Sequence, residues 1–197
     1  MFIKKMLLGN YTEPVKVFIC STGTATPRSG VYPLKPYKAK WVELMGGVWG
    51  QYGWQIVGDI MLHSVPYSRN GNKSSLITSY YDRLGTSASA GCIRLTVEDA
   101  KWIYENCPVG TNVEFYASDD PGPLGKPEAK KISGYGSPLR NWDPTDPDPE
   151  NPWHNENSNY TPPAQSQSSS SSGSSSSAGS STSSSSSSPS DGITITF

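Results

Sequence analysis

Between Ser166 and Ser190 the chain is nearly all serine, broken only by scattered Gln, Gly, Ala, Thr and Pro residues. Such a tract has almost no apolar side chain to bury against the entropy of ordering it, so it adds nothing to a core and is expected to be a mobile spacer. The stretch before it, Asp143-Pro144-Thr145-Asp146-Pro147-Asp148-Pro149, is polar and proline-punctuated, and no lysine or arginine follows Asn141. Packing is therefore expected to be confined to the first part of the chain. The expected organisation is a folded domain over residues 1–120, a Pro/Asp/Asn-rich linker over 121–165, the Ser-rich spacer over 166–190 and a further element over 191–197. There Ile193-Thr194-Ile195-Thr196-Phe197 alternates like a strand opening another β module. A stiff Pro-rich part followed by a flexible Ser-rich part suits a joint between two modules; a tail without function is the competing reading.

Charge divides at the same place. All 16 basic residues precede Asn141, while Asp143, Asp146, Asp148, Glu150, Glu156 and Asp191 follow it, so the first part is clearly basic inside a chain of net charge −1. A moderately basic domain suits an anionic polymer. No basic run is dense enough for nucleic acid, and no apolar stretch approaches a membrane span. The three cysteines and two histidines lack zinc-type spacing, so no metal is expected. Gly46-Gly47-Val48-Trp49-Gly50 lacks the lysine and helix start of a phosphate loop and reads as turns, so no nucleotide or other cofactor is expected. Asp59 and Asp119-Asp120 read as solvated turn or edge residues.

The first part reads as mainly β with one or two helices. Strand-like runs are Val15–Cys20, Lys38–Leu44, Gln55–His63 and Asn112–Tyr116, and residues 2–8 read as a first strand hairpinned through Gly9-Asn10. A short helix is expected around Ser75–Leu84. Another starts at the cap Thr96 with Asp99 reaching back, and puts Ala100, Ile103, Tyr104 and Cys107 on one face. Cys107 is then a core residue; Cys20 and Cys107 are expected as free thiols, with a disulfide the alternative.

Cys92 follows Ser87-Ala88-Ser89-Ala90-Gly91 and precedes Ile93-Arg94-Leu95. Small residues before a thiol leave room for substrate, and Gly91 allows backbone N–H groups to approach a developing oxyanion. Arg94 favours the thiolate and can hold a carboxylate. The segment alone fits a buried structural cysteine equally well. A partner base decides between them, and only two histidines exist. His154 lies in a polar stretch with nothing to hold it. His63 ends the apolar run Asp59-Ile60-Met61-Leu62 and is stopped by Ser64-Val65-Pro66, so a strand end presents it.

His63-Ser64-Val65-Pro66-Tyr67 followed by Ser89-Ala90-Gly91-Cys92-Ile93-Arg94-Leu95 resembles the signature of the L,D-transpeptidase (YkuD-type) catalytic domain. The resemblance covers about residues 11–117, including Ser21-Thr22-Gly23, the Gly46–Gly58 stretch, the helix after Thr96 and the strand after Gly110. It departs at Ala90, where many members carry histidine, and at Arg94, where some carry asparagine. The resemblance implies a β-sandwich or barrel in which Cys92 is the nucleophile and His63 the base. It also implies that the Ser64 main-chain carbonyl fixes the imidazole tautomer, that Gly91 helps form the oxyanion site, and that Arg94 and Tyr67 lie at the substrate cleft; Tyr67 packing at a strand end is the plainer alternative.

The implied reaction joins peptidoglycan stem peptides, donor and acceptor, by 3→3 cross-links through a cysteinyl thioester with loss of D-alanine. It places the protein outside the cytoplasm, at the cell wall. The competing functions are an L,D-carboxypeptidase or other wall-peptide thiol hydrolase, and a non-catalytic wall-binding module. The apolar part of Met1–Leu8 reads as too short for a signal-peptide core, and further domains beyond the spacer are expected.

Overall fold

The computed structural model describes residues 2–7, 10–118, 124–155 and 191–196; the Ser-rich tract and Asp119-Asp120 lie outside these described residues. In chain order the elements are β1 (Phe2–Leu7), β2 (Asn10–Val17), β3 (Gly30–Pro33), β4 (Lys38–Leu44), β5 (Val48–Val57), β6 (Ile60–Ser64), α1 (Thr78–Tyr81), β7 (Ile93–Leu95), α2 (Val97–Asn106), β8 (Asn112–Ala117) and β9 (Asp191–Thr196). The strands form a five-stranded sheet in the order β2-β1-β9-β8-β3 and a four-stranded sheet in the order β4-β5-β6-β7. The mainly β reading with few helices stands.

Alternation along the strands builds the core. Trp54, Ile56, Leu62, Ile93 and Leu95 from one sheet meet Val113, Phe115, Ile193 and Ile195 from the other, with Ala100, Ile103 and Cys107 of α2 joining them. Thr96 caps α2 by accepting from the Asp99 N–H at 3.2 Å, and the Thr96 side chain also hydrogen-bonds the Asp99 carboxyl. The three cysteines are free thiols, Cys107 buried.

Several boundaries differ from the sequence reading. The run Gln55–His63 is two strands, because Gly58 adopts a left-handed φ of 53° and reverses the chain between β5 and β6. Gly46 and Gly47 do form a turn, with φ of 89° and 70°, but Val48–Gly50 already belongs to β5. Only Thr78–Tyr81 of the expected first helix is α-helical, preceded by a single 3-10 turn at Lys73–Ser75. β2 ends at Val17, short of Cys20.

The larger corrections concern the C-terminal third. Over residues 124–155 the expected linker is packed: Ile132, Trp142 and Trp153 form a second core with Val65, Tyr67, Leu76, Tyr81, Leu84 and Val97. This segment has little regular structure, so no periodicity advertises it. Its backbone is satisfied by short side-chain turns instead, Asp143 accepting from Thr145 N–H, Asp146 from Asp148 N–H, Asp148 from Glu150 N–H and Asn151 from Trp153 N–H. The last strand does not open a separate module either. β9 lies between β1, to which it is parallel, and β8, to which it is antiparallel, and it buries Ile193 and Ile195 in the first core. The alternation was legible; its partner was this domain's own sheet.

Candidate active site

β6 and β7 run parallel and adjacent, with Leu62 opposite Ile93 and His63 opposite Arg94. Leu62 and Ile93 point into the core. By alternation His63, Arg94 and Cys92, one residue before β7, share the opposite face. Cys92 is one strand spacing across and two residues back from His63, which puts their Cα atoms roughly 8 Å apart. The crossover between the two strands, residues 65–92, thus brings together groups distant in sequence.

His63 is 2% exposed. Its Nδ1 lies 2.6 Å from the Ser64 carbonyl oxygen, which has only a donor as a suitable partner, so Nδ1 carries the hydrogen and Nε2 the free lone pair. Burial, assisted by the charge of neighbouring Arg94 and opposed by the Ser64 carbonyl, drives the imidazole pKa down to about 4. The ring is neutral at neutral pH. Gly50 makes room for it: a Cβ there would lie 3.0 Å from Nδ1 and 3.1 Å from Cβ and Cγ of His63.

Cys92 is half-buried, and its Sγ donates to the Asp59 carbonyl at 3.6 Å. Burial raises its pKa; the Met61 N–H and the Arg94 charge pull the other way but less strongly. The sequence reading had Arg94 favouring thiolate, and it does, yet desolvation is the larger effect. At rest the pair is therefore thiol and neutral imidazole, and among the described residues no hydrogen bond joins them. Asp59, read as a plain turn residue, contributes its carbonyl to the thiol.

The turn before Cys92 is held by its carbonyls. Ala90 O accepts from Ala25 N–H at 2.9 Å, Gly91 O from the Thr26 hydroxyl at 2.6 Å, and Cys92 O from the Ser89 hydroxyl at 2.6 Å. Space is tight at Gly91, where a Cβ would come within 3.1 Å of Ala25 Cβ. Arg94 is half-buried, donates from Nη1 to Ala88 O at 2.9 Å, and stacks its guanidinium 4.5 Å from the Tyr80 ring centre; its buried Nε has no partner.

Two sequence candidates sit elsewhere. Tyr67 is fully buried, its hydroxyl accepting from Gln51 Nε2 at 3.0 Å and its ring edge-on to Trp41, so it packs the second core and cannot touch substrate. His154 is exposed on a 3-10 turn of the C-terminal segment. Gly50, Thr26 and Tyr80 were given no role by the sequence, because each acts through a pairing between segments distant in the chain; Ser89 acts locally, on the Cys92 carbonyl three residues on. A shallow cleft of about 380 Å³ lined by Ile19, Leu84, Gly85, Lys126, Pro127 and Glu128 among others includes neither Cys92 nor His63. Among the described residues no cluster of His, Cys, Asp or Glu could hold a metal ion, and no helix is long and apolar enough to cross a membrane.

Residues 4–115 match the family model of the YkuD L,D-transpeptidase catalytic domain. A curated relative from Bacillus subtilis (strain 168), provisionally named L,D-transpeptidase YciB, is 39% identical over 92 residues, covering 45% of this chain and 45% of its own length. The chain thus spans about half the length of that relative. Among solved structures, an L,D-transpeptidase from Mycobacterium smegmatis shares 18% identity over 56% of this chain and 55% of its own, with a TM-score of 0.39. A fused zinc-dependent amidase/peptidase/peptidoglycan-binding protein from Clostridium acetobutylicum shares 23% over 56% and 48%, with a TM-score of 0.37.

Proposed function

This chain belongs to the L,D-transpeptidase catalytic-domain family, and from that premise we propose that it forms 3→3 cross-links between peptidoglycan stem peptides through a thioester on Cys92. The observation that carries this reading is the shared sheet face of Cys92, His63 and Arg94, with the Ser64 carbonyl on His63 Nδ1.

A turn of Cys92 about χ1 takes the sulfur from the Asp59 carbonyl toward His63 Nε2. Catalytic contacts of this kind tighten only when substrate is bound. The sulfur attacks the carbonyl carbon of the third residue of a donor stem as Nε2 accepts the thiol proton. Because the resting pair is neutral, that transfer accompanies attack rather than preceding it. Backbone N–H groups at Gly91 and Cys92, in a turn whose carbonyls are already engaged, meet the oxyanion. Collapse breaks the bond to D-alanine, whose nitrogen takes the proton from the imidazolium. The amine of an acceptor stem then attacks the thioester, giving up a proton to His63, and the sulfur leaves and regains its hydrogen. Arg94, stacked on Tyr80, is placed to attract a substrate carboxylate. The substrate puts the reaction outside the cytoplasm, at the cell wall.

Incubation with tetrapeptide muropeptides, read by mass spectrometry, is expected to show loss of D-alanine and a dimer joined between third residues, with Cys92→Ala inactive. Release of D-alanine without dimers would make the enzyme an L,D-carboxypeptidase. Internal cleavage would make it another thiol hydrolase. Binding without any product from folded protein would leave a wall-binding module.

A further inference from the structure

The base is anchored by a part of the chain beyond the family match. Gln51, buried on β5, donates its backbone N–H to Ser64 Oγ at 2.9 Å. Ser64 is the residue whose carbonyl lies on His63 Nδ1. Gln51 also adjoins Gly50, the position that gives the imidazole its space. The side chain of Gln51 is itself fixed from outside the matched region: Nε2 donates to Asp146 Oδ2 at 2.9 Å and to the Tyr67 hydroxyl at 3.0 Å. Asp146 is fully buried, and its other oxygen accepts from Lys73 Nζ at 3.2 Å and from the Asp148 N–H at 3.0 Å. Asn151 holds the same turn by donating to the Asp143 and Asp146 carbonyls at 3.0 and 2.8 Å.

We propose that Asp146 is a positioning residue for catalysis: through Gln51 and Ser64 it holds His63 in the tautomer with Nε2 free, so that a side chain beyond the family match belongs to the catalytic unit. The inference rests on His63 being the base of the proposed reaction. Three features argue for it. Every member of the chain from Asp146 to His63 is buried, so water does not compete for these bonds. Gln51 contacts the anchor through its side chain and Ser64 through its backbone, so moving one end displaces the other. The family match ends at residue 115, yet a buried carboxylate at 146 supports the residue that orients the imidazole. Groups that orient a reacting side chain without touching substrate act on its geometry, where small displacements are costly.

The chain's two histidines make the test direct. Imidazole ¹⁵N spectra separate His63 from exposed His154, and the wild type is expected to show His63 as a single Nδ1–H tautomer. Asp146→Ala is expected to give a mixture of tautomers and a roughly tenfold slower release of D-alanine from tetrapeptide muropeptide. The buried Trp153 indole N–H, bonded to Leu139 O, reports whether the segment is still packed. Asp148→Asn serves as control: it weakens the Lys73 ion pair on the same segment but lies off the path, and is expected to leave His63 unchanged. Gln51→Met, which keeps the volume and cuts the side-chain link, is expected to reproduce Asp146→Ala and decides the matter should that variant not fold.

A single unchanged tautomer in either folded variant, or D-alanine release within twofold of wild type, overturns the proposal. So does an equal effect from Asp148→Asn. If His63→Ala releases D-alanine as fast as wild type while the tautomer shifts as expected in Asp146→Ala, the base assignment fails and the anchoring stands.

Discussion

Gly50→Ala separates site geometry from stability. Gly50 is on β5 without a left-handed φ, so its backbone accepts alanine, and the loss of glycine's unfolded-state freedom stabilises by about 0.5–1 kcal/mol. Against this, the new methyl would sit 3.0–3.1 Å from three atoms of His63. Those distances are several tenths of an ångström inside ordinary contact. His63 cannot yield easily, being buried and held to Ser64 O at 2.6 Å. Overpacking of this kind costs about 1–3 kcal/mol, so the net destabilisation is about 0–2.5 kcal/mol and the protein is expected to stay folded. The ring, however, shifts by roughly half an ångström, and a displacement of about 1 Å can cost about 100-fold, so catalysis falls by roughly tenfold. The assay is D-alanine release from tetrapeptide, alongside iodoacetamide alkylation of Cys92 and a denaturant melt. Full turnover in Gly50→Ala would show that the ring has slack and that Gly50 is not there to house it.

The remaining predictions address the resting pair and the packing. Because Cys92 is raised by burial and His63 lies near 4, alkylation of Cys92 should keep climbing with pH beyond 9; a plateau near pH 7 would reveal a preformed thiolate–imidazolium pair. Burial raises Asp99 to about 7 and Asp143 to about 6, so between those values and the ordinary carboxyl range the folded state holds protons the unfolded state has released. Stability from these groups is present at low pH and is lost as pH rises through their folded values. His63 acts oppositely, its neutral folded form losing ground as pH falls from about 6.5 toward 4. Two carboxyls outweigh one imidazole, so Tm should rise from pH 8 to 5, and Asp99→Asn should flatten the upper part of that rise. Trp153→Ala removes a 2%-exposed indole set edge-on to Tyr135 at 4.8 Å and should cost about 3–5 kcal/mol by denaturant melt; a cost below about 1 kcal/mol would mean residues 124–155 are not an integral part of the fold.

What could be read from the sequence followed the physical reach of each signal. Thr96 with Asp99 announces a helix start within four residues, and Lys38–Leu44 announces a strand, because capping and alternation are local. His63 and Cys92 were identifiable as candidates by residue type and setting, though their adjacency is created by parallel pairing of β6 and β7, which sequence spacing does not encode. Tyr67 was left open between the cleft and strand-end packing because a tyrosine following a strand end looks the same whether its hydroxyl meets solvent or Gln51. The C-terminal segment was hidden for a related reason. Asp143-Pro144-Thr145-Asp146-Pro147-Asp148 has the composition of an unpacked linker, and only the destinations of its carboxylates distinguish it: Asp143 accepts from Val97 N–H at the start of α2, and Asp146 from Gln51. A proline-rich acidic stretch can thus fold onto a domain by supplying acceptors to donors the domain itself leaves open, the orphan N–H of a helix start and a buried amide. Where single tryptophans punctuate such a stretch, as Trp142 and Trp153 do here, packing rather than disorder is the physically cheaper expectation, because each indole buries enough surface to offset the ordering of several backbone residues.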